Sequence, residues 1–180
     1  MTALIILYAL VLSSFEPTRH YTDGEIKWVE GRMLTYNDFQ GKVPAASPWA
    51  ALTSSNIYFT YSTANGRLSD FRVYASFIAE NSWMKIENED VLAHEQLHFD
   101  ITEIFARKLY LQADLLKTKS GSVPKLASDL FKNINKDCDA MQQQYDDETS
   151  HGTKSDKQSE WAKKIALILS NHPSYPASDQ

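Results

Sequence analysis

Hydrophobic positions alternate with polar ones in the first half of the chain and recur every three or four residues in the second. Between Ser55 and Thr63, Ile57, Phe59 and Tyr61 fall on one side and Asn56, Tyr58 and Thr60 on the other, the period of a half-buried strand. Asn65-Gly66 follows at once and suits a two-residue hairpin turn, in which both central residues take positive φ. The return strand is predicted from Arg67 or Leu68 to Ile78, with Phe71, Val73, Ala75 and Phe77 on a shared face. Upstream, residues 26–34, with Trp28 and Val29, read as another short strand, and residues 35–41 turn into a Pro- and Ala-rich loop at 43–49.

The period changes near Asn88-Glu89-Asp90, whose capping and acidic side chains suit a helix start. Helices are predicted over about residues 90–117, 123–147 and 156–170. Residues 118–122, with Gly121, and then His151-Gly152-Thr153 separate them, and a frayed tail is expected over 171–180, with Pro173 and Pro176. There is no internal repeat. A sheet followed by helices predicts an α+β domain: an antiparallel hairpin sheet, then three helices.

Composition narrows the function classes. With 180 residues, 43% hydrophobic and 12% aromatic, the chain can bury one core but would be cramped as two domains. A net charge of -5, with no run of Lys or Arg beyond two, excludes a nucleic-acid footprint. Cys138 is the single cysteine, so neither an intrachain disulfide nor a cysteine-based zinc site can form. Residues 1–14 are an apolar run ending in small residues, too short for an ordinary membrane span and expected to act as an export signal; because no Lys or Arg precedes it, an N-terminal core strand and an uncleaved anchor are the alternatives. The expected layout is a signal at 1–14, a linker at 15–23, the domain at 24–170 and a flexible tail at 171–180. The mature protein would carry no membrane span and reside in the periplasm, cell envelope or medium.

The chemistry is concentrated in His94-Glu95-Gln96-Leu97-His98, inside the first predicted helix. Residues four apart on a helix share a face, so His94 and His98 can grip one tetrahedral Zn²⁺. Glu95 then stands where a carboxylate can take a proton from a water whose pKa zinc has lowered to about 7. Phe99, Ile101, Ile104, Phe105 and Leu109 continue the helix as a core element. One departure is Asp100, at a position where zinc peptidases usually carry an apolar residue.

A catalytic zinc needs a third protein ligand. Of the other histidines, His20 and His172 lie near the chain ends, whereas His151 stands at a helix end beside Gly152, which permits close backbone approach. His151 is therefore expected as the third ligand, with Glu148 the runner-up. Asp147 and Glu148 could orient imidazoles through their second nitrogens, Asp100 or Glu103 less easily, while solvated helix-end charge is the favoured reading of any one of them. Tyr145 could donate its hydroxyl to an oxyanion, or simply pack.

Several stretches together resemble a bacterial secreted domain family of unknown function described as predicted zinc-dependent proteases. They are Trp28, Leu34-Thr35, Asp38-Phe39 and Gly41, then His94 through Glu103 with Ala106-Arg107, then Tyr145-Asp146, Thr149, His151-Gly152, Gln158 and Trp161. The likeness covers about residues 24–169, and Asp100 is usual within that family. The resemblance implies export, zinc and a zincin-like peptidase fold, and it leaves the substrate open. The expected function is an exported zinc metallopeptidase acting on peptides or proteins, with Glu95 as general base and His94, His98 and His151 on the metal. The rivals are a non-catalytic, zinc-stabilised secreted binding module and a metal-free adhesin.

Overall fold

The computed structural model describes residues 24–119, 122–172 and Tyr175. The export segment and linker expected at 1–23 lie outside the described residues. The fold is α+β, with a three-stranded antiparallel sheet, a separate two-stranded ribbon and three helices.

The sheet has the order β1 (Glu25–Lys27), β4 (Arg67–Ile78), β3 (Ser55–Ala64). The predicted hairpin joins β3 to β4, with φ of 53° at Asn65 and 73° at Gly66. Near its tip the register passes from Ser62 opposite Asp70 to Thr63 opposite Leu68, so Ser69 is an extra residue, a bulge. The bulge changes the phase of β4 and puts Leu68 on the same buried face as Phe71, Val73, Ala75 and Phe77. The ribbon pairs β2 (Ala51–Leu52) with β5 (Trp83–Met84).

Helix α1 (Glu89–Leu116) is the centre of the molecule, packed on the sheet and flanked by α2 (Val123–Thr149) and α3 (Ser155–Asn171). Asn88 caps it, accepting from the backbone N–H groups of Asp90 and Val91, while Glu89 and Asp90 complement the positive end of the helix dipole. Ile101, Ile104, Ala106 and Leu109 are fully buried, as befits a helix packed on by the sheet and by both other helices. No helix among the described residues is long and apolar enough to cross a membrane.

Two expectations are corrected. The first strand stops at Lys27 instead of running to residue 34, because α1 captures the chain that follows. The Trp28 indole donates to Asp100 (2.8 Å), and Gln96 Oε1 accepts from the Leu34 N–H (2.7 Å). Asp100, the departure from an apolar position, thus holds a strand exit in place; burial, its largest influence, raises its pKa. At the other end, Arg107 donates to the carbonyls of Leu169 and His172. Tyr175, expected in the flexible tail, is instead buried with its hydroxyl on Glu103.

Candidate metal centre

Helix periodicity delivers His94 and His98 to one face of α1, their Nε2 atoms 3.1 Å apart. Across from them α2 supplies Asp146, whose Oδ1 lies 3.2 Å from His94 Nε2 and 3.1 Å from His98 Nε2. Around a tetrahedral zinc with bonds of about 2.0 to 2.1 Å, ligand atoms stand about 3.3 Å apart. His94, His98 and Asp146 therefore form a triangle of the right size, and among the described residues they are a group whose geometry could hold a metal ion.

Protons decide what that triangle attracts. His98 Nδ1 lies 2.6 Å from Gln142 Oε1, and the Gln142 amide is fixed the right way round because its Nε2 donates to the His98 carbonyl (2.9 Å) and to Thr102 Oγ1 (3.2 Å). An oxygen acceptor at Nδ1 requires the N–H there and leaves the lone pair on Nε2. The same holds for His94, whose Nδ1 faces Gln158 Oε1 at 3.2 Å while the Tyr145 hydroxyl donates to that same oxygen at 2.8 Å. With both rings neutral, two imidazole lone pairs and a carboxylate oxygen converge on one point, an arrangement that suits a cation.

The electrostatics agree. Burial, the largest influence on Asp146, pushes its carboxyl up, yet hydrogen bonds and charge from His94 and His98 hold it far below the usual carboxylate range. For His98, burial again acts most strongly and disfavours the imidazolium. Asp146, Glu95 and Gln142 outweigh it, and its pKa is raised. The two shifts are largely two sides of one interaction, a carboxylate set against imidazoles.

Glu95 is 5% exposed and lines the same cleft, with its Oε2 buried and without a hydrogen-bond partner. A buried, orphaned carboxylate oxygen beside three convergent ligand atoms fits a site that meets a metal and a reactant. The cleft has a volume of about 700 Å³ and is floored by α1, with the segment from Trp49 to Ile57 on one side and α2 on the other. Thr53 Oγ1 donates to the Glu95 carbonyl (3.2 Å) and Ser55 Oγ bonds Thr102 Oγ1 (2.7 Å), pinning the start of β3 along the motif helix.

The remaining expected residues are distributed differently. His151 is brought to the cleft, its Nδ1 3.4 Å from Asp146 Oδ1 and its ring against Trp49 at 4.2 Å, but it falls outside the three-residue cluster and its side chain is 44% exposed. It sits in a run of left-handed backbone, with φ of 48° at Ser150, 53° at His151 and 79° at Gly152. Gly152 is required there: a Cβ would meet His94 Cγ at 2.9 Å, and its φ is positive. Tyr145 lies fully buried beneath the site, stacked on His94 at 4.7 Å and edge-on to His98 at 4.9 Å, with its hydroxyl committed to Gln158. Asp147 and Glu148 are not brought to the cluster. Asp147 accepts from Gln143, and Glu148 from Gln144 and the Trp161 indole.

Asp146, Gln142 and the orienting role of Gln158 were not legible as site features in the sequence reading. A signal for Asp146 existed: it lies four residues after Gln142 and eight after Cys138, on one stripe of α2, where a carboxylate facing inward needs a partner. Cys138 also lines the cleft, but burial pushes its thiol up to about 12, which makes it a packing residue and a poor nucleophile.

The fold and site define an α+β domain with a two-helix His/His/carboxylate centre at the base of a cleft. Residues 75–152 match a family described as a bacterial protein of unknown function (DUF922), a span that takes in β4, α1, α2 and every member of the cluster. No curated protein and no solved structure matches the chain.

Proposed function

We propose that the protein is an exported, zincin-like zinc hydrolase of peptide bonds. The observation that carries this reading is the convergence of His94 Nε2, His98 Nε2 and Asp146 Oδ1 at 3.1 to 3.2 Å, with the outer nitrogens committed to Gln158 and Gln142 and the orphaned carboxylate of Glu95 alongside. These residues fit zinc, with a nitrogen and oxygen donor set and room left on the cleft side. When bound, zinc supplies a Lewis-acid centre that lowers the pKa of water to about 7 and polarises a carbonyl.

The chain's own residues supply the rest. Glu95 takes the proton from the attacking water and returns it to the departing amine. His151, held over Asp146 and against Trp49, offers an N–H toward the oxygen on which charge develops. β3 pairs with β4 on one side only among the described residues, and its open edge near Ser55 lies along α1. An extended substrate can add there as a further strand. Export is supported by the apolar run at 1–14.

The test is a zinc-loaded chain incubated with a mixed peptide pool and read by mass spectrometry. New termini should appear with the native protein. Glu95→Gln should keep about one zinc per chain and lose about 100-fold to 10,000-fold in rate. Cleavage that survives Glu95→Gln unchanged overturns the mechanism, and absence of any cleavage by the native chain leaves the zinc-stabilised binding module as the better account.

A further inference from the structure

The cleft has two unlike walls. One is the segment from Trp49 into β3; the other is the stripe of α2 bearing Asn135, Asp139, Gln142 and Asp146. From Asn135 to Asp146 a helix rises about 16 Å, the length of about five residues of extended peptide. Four carboxylates face this space, Asp90, Glu95, Asp139 and Asp146, and neither Lys nor Arg lines it.

These acids are not equivalent. Asp146 is engaged by His94 and His98, while Glu95, which lines the cleft, is 5% exposed with a buried Oε2 that has no hydrogen-bond partner among the described residues, a need that a ligand in the groove could meet. Asp90 is in the first turn of α1, where the helix dipole already accounts for a negative charge. Asp139 has no such explanation: it is exposed, lies in the middle of α2, faces the groove and forms no ion pair among the described residues. On the reading of the cleft as a peptide site, we propose that it selects segments carrying Lys or Arg, and that Asp139 is the side chain that meets the cation. A carboxylate in a groove with low-dielectric walls acts more strongly than one on open surface, and an acidic substrate residue would face like charge there.

The test uses the zinc-loaded Glu95→Gln chain, so that binding is read without turnover. Three peptides of one backbone, with their variable positions all Lys, all Gln or all Glu and a fluorophore of zero net charge, are titrated by anisotropy. The expected order is Lys tightest, then Gln, then Glu, with about tenfold between the extremes at about 50 mM salt and compression at about 0.5 M. Asp139→Lys should invert the order, and the milder Asp139→Asn should erase the preference for Lys over Gln. Asp137→Lys makes the same charge change at an exposed α2 residue that does not line the groove, and should leave the order intact. Equal binding of the three peptides, or an order that responds alike to changes at 139 and 137, overturns the charge selection while peptide binding stands. Failure of all three to bind overturns both the selection and the peptide reading.

Discussion

Gln142 holds His98 at both ends of its amide, accepting at Oε1 from the imidazole Nδ1 at 2.6 Å and donating from Nε2 to the His98 carbonyl at 2.9 Å. The α2 side chain thereby sets which nitrogen of an α1 histidine carries the proton. Gln142→Ala should leave the fold intact but lower zinc affinity about 10-fold to 100-fold. Competition with a colorimetric chelator measures this, and unchanged affinity would show that the His98 tautomer is set by something else.

The identity of the third ligand is open to a direct ranking. Asp146→Ala should remove zinc binding at micromolar metal, because it deletes one corner of the triangle. His151→Ala should retain bound zinc while lowering turnover, and Glu148→Ala should change neither, since its carboxylate is spent on Gln144 and Trp161. If instead His151→Ala strips the metal and Asp146→Ala retains it, the sequence-based expectation of His151 as ligand is the right one.

Gly152→Ala tests the close approach over His94. The new methyl would meet His94 Cγ at 2.9 Å and adopt a left-handed backbone, so the loop must shift. A loss of about 1 to 3 kcal/mol in unfolding free energy is expected, with weakened zinc binding. Denaturant titration of the metal-free and metal-loaded forms separates the two effects.

Glu103 gives a pH signature independent of the metal centre. It is 1% exposed, and Arg107 (2.8 Å) and Tyr175 (3.1 Å) donate to it. Burial, the largest influence, nevertheless pushes its carboxyl from 4.5 up to about 7. Between those values the folded state keeps a proton that the unfolded chain has released, so stability is full below 4.5 and falls as pH rises to about 7. Comparing zinc-free native protein with Glu103→Gln by denaturant titration should give a difference that slopes across this window and levels above it. A difference flat in pH would mean that Arg107 keeps Glu103 ionised throughout.

The helices were legible because long apolar periodicity and strong caps act locally: α1, α2 and α3 each begin and end within two residues of expectation. Asn65-Gly66 likewise fixed the hairpin through turn chemistry alone. What escaped depends on partners distant in sequence. Trp28 keeps its backbone bond to Ala75 of β4 while its indole donates to Asp100, 72 residues away, and nothing near Trp28 announces that second tie. Asp146 was passed over for the same reason. A histidine beside a glycine is conspicuous in a sequence, whereas an aspartate becomes a candidate ligand only when the crossing of α1 and α2 sets it opposite His94 and His98.

The two glutamine clamps also bear on the order of events in the life of the chain. Gln142 and Gln158 already hold both rings, so on the proposed reading of the site as a metal centre the entropy of arranging its ligands is lost during folding and not at capture. A chain folded empty would already present a finished receptacle. Loading could then be deferred to whichever compartment first offers the metal, with no refolding required.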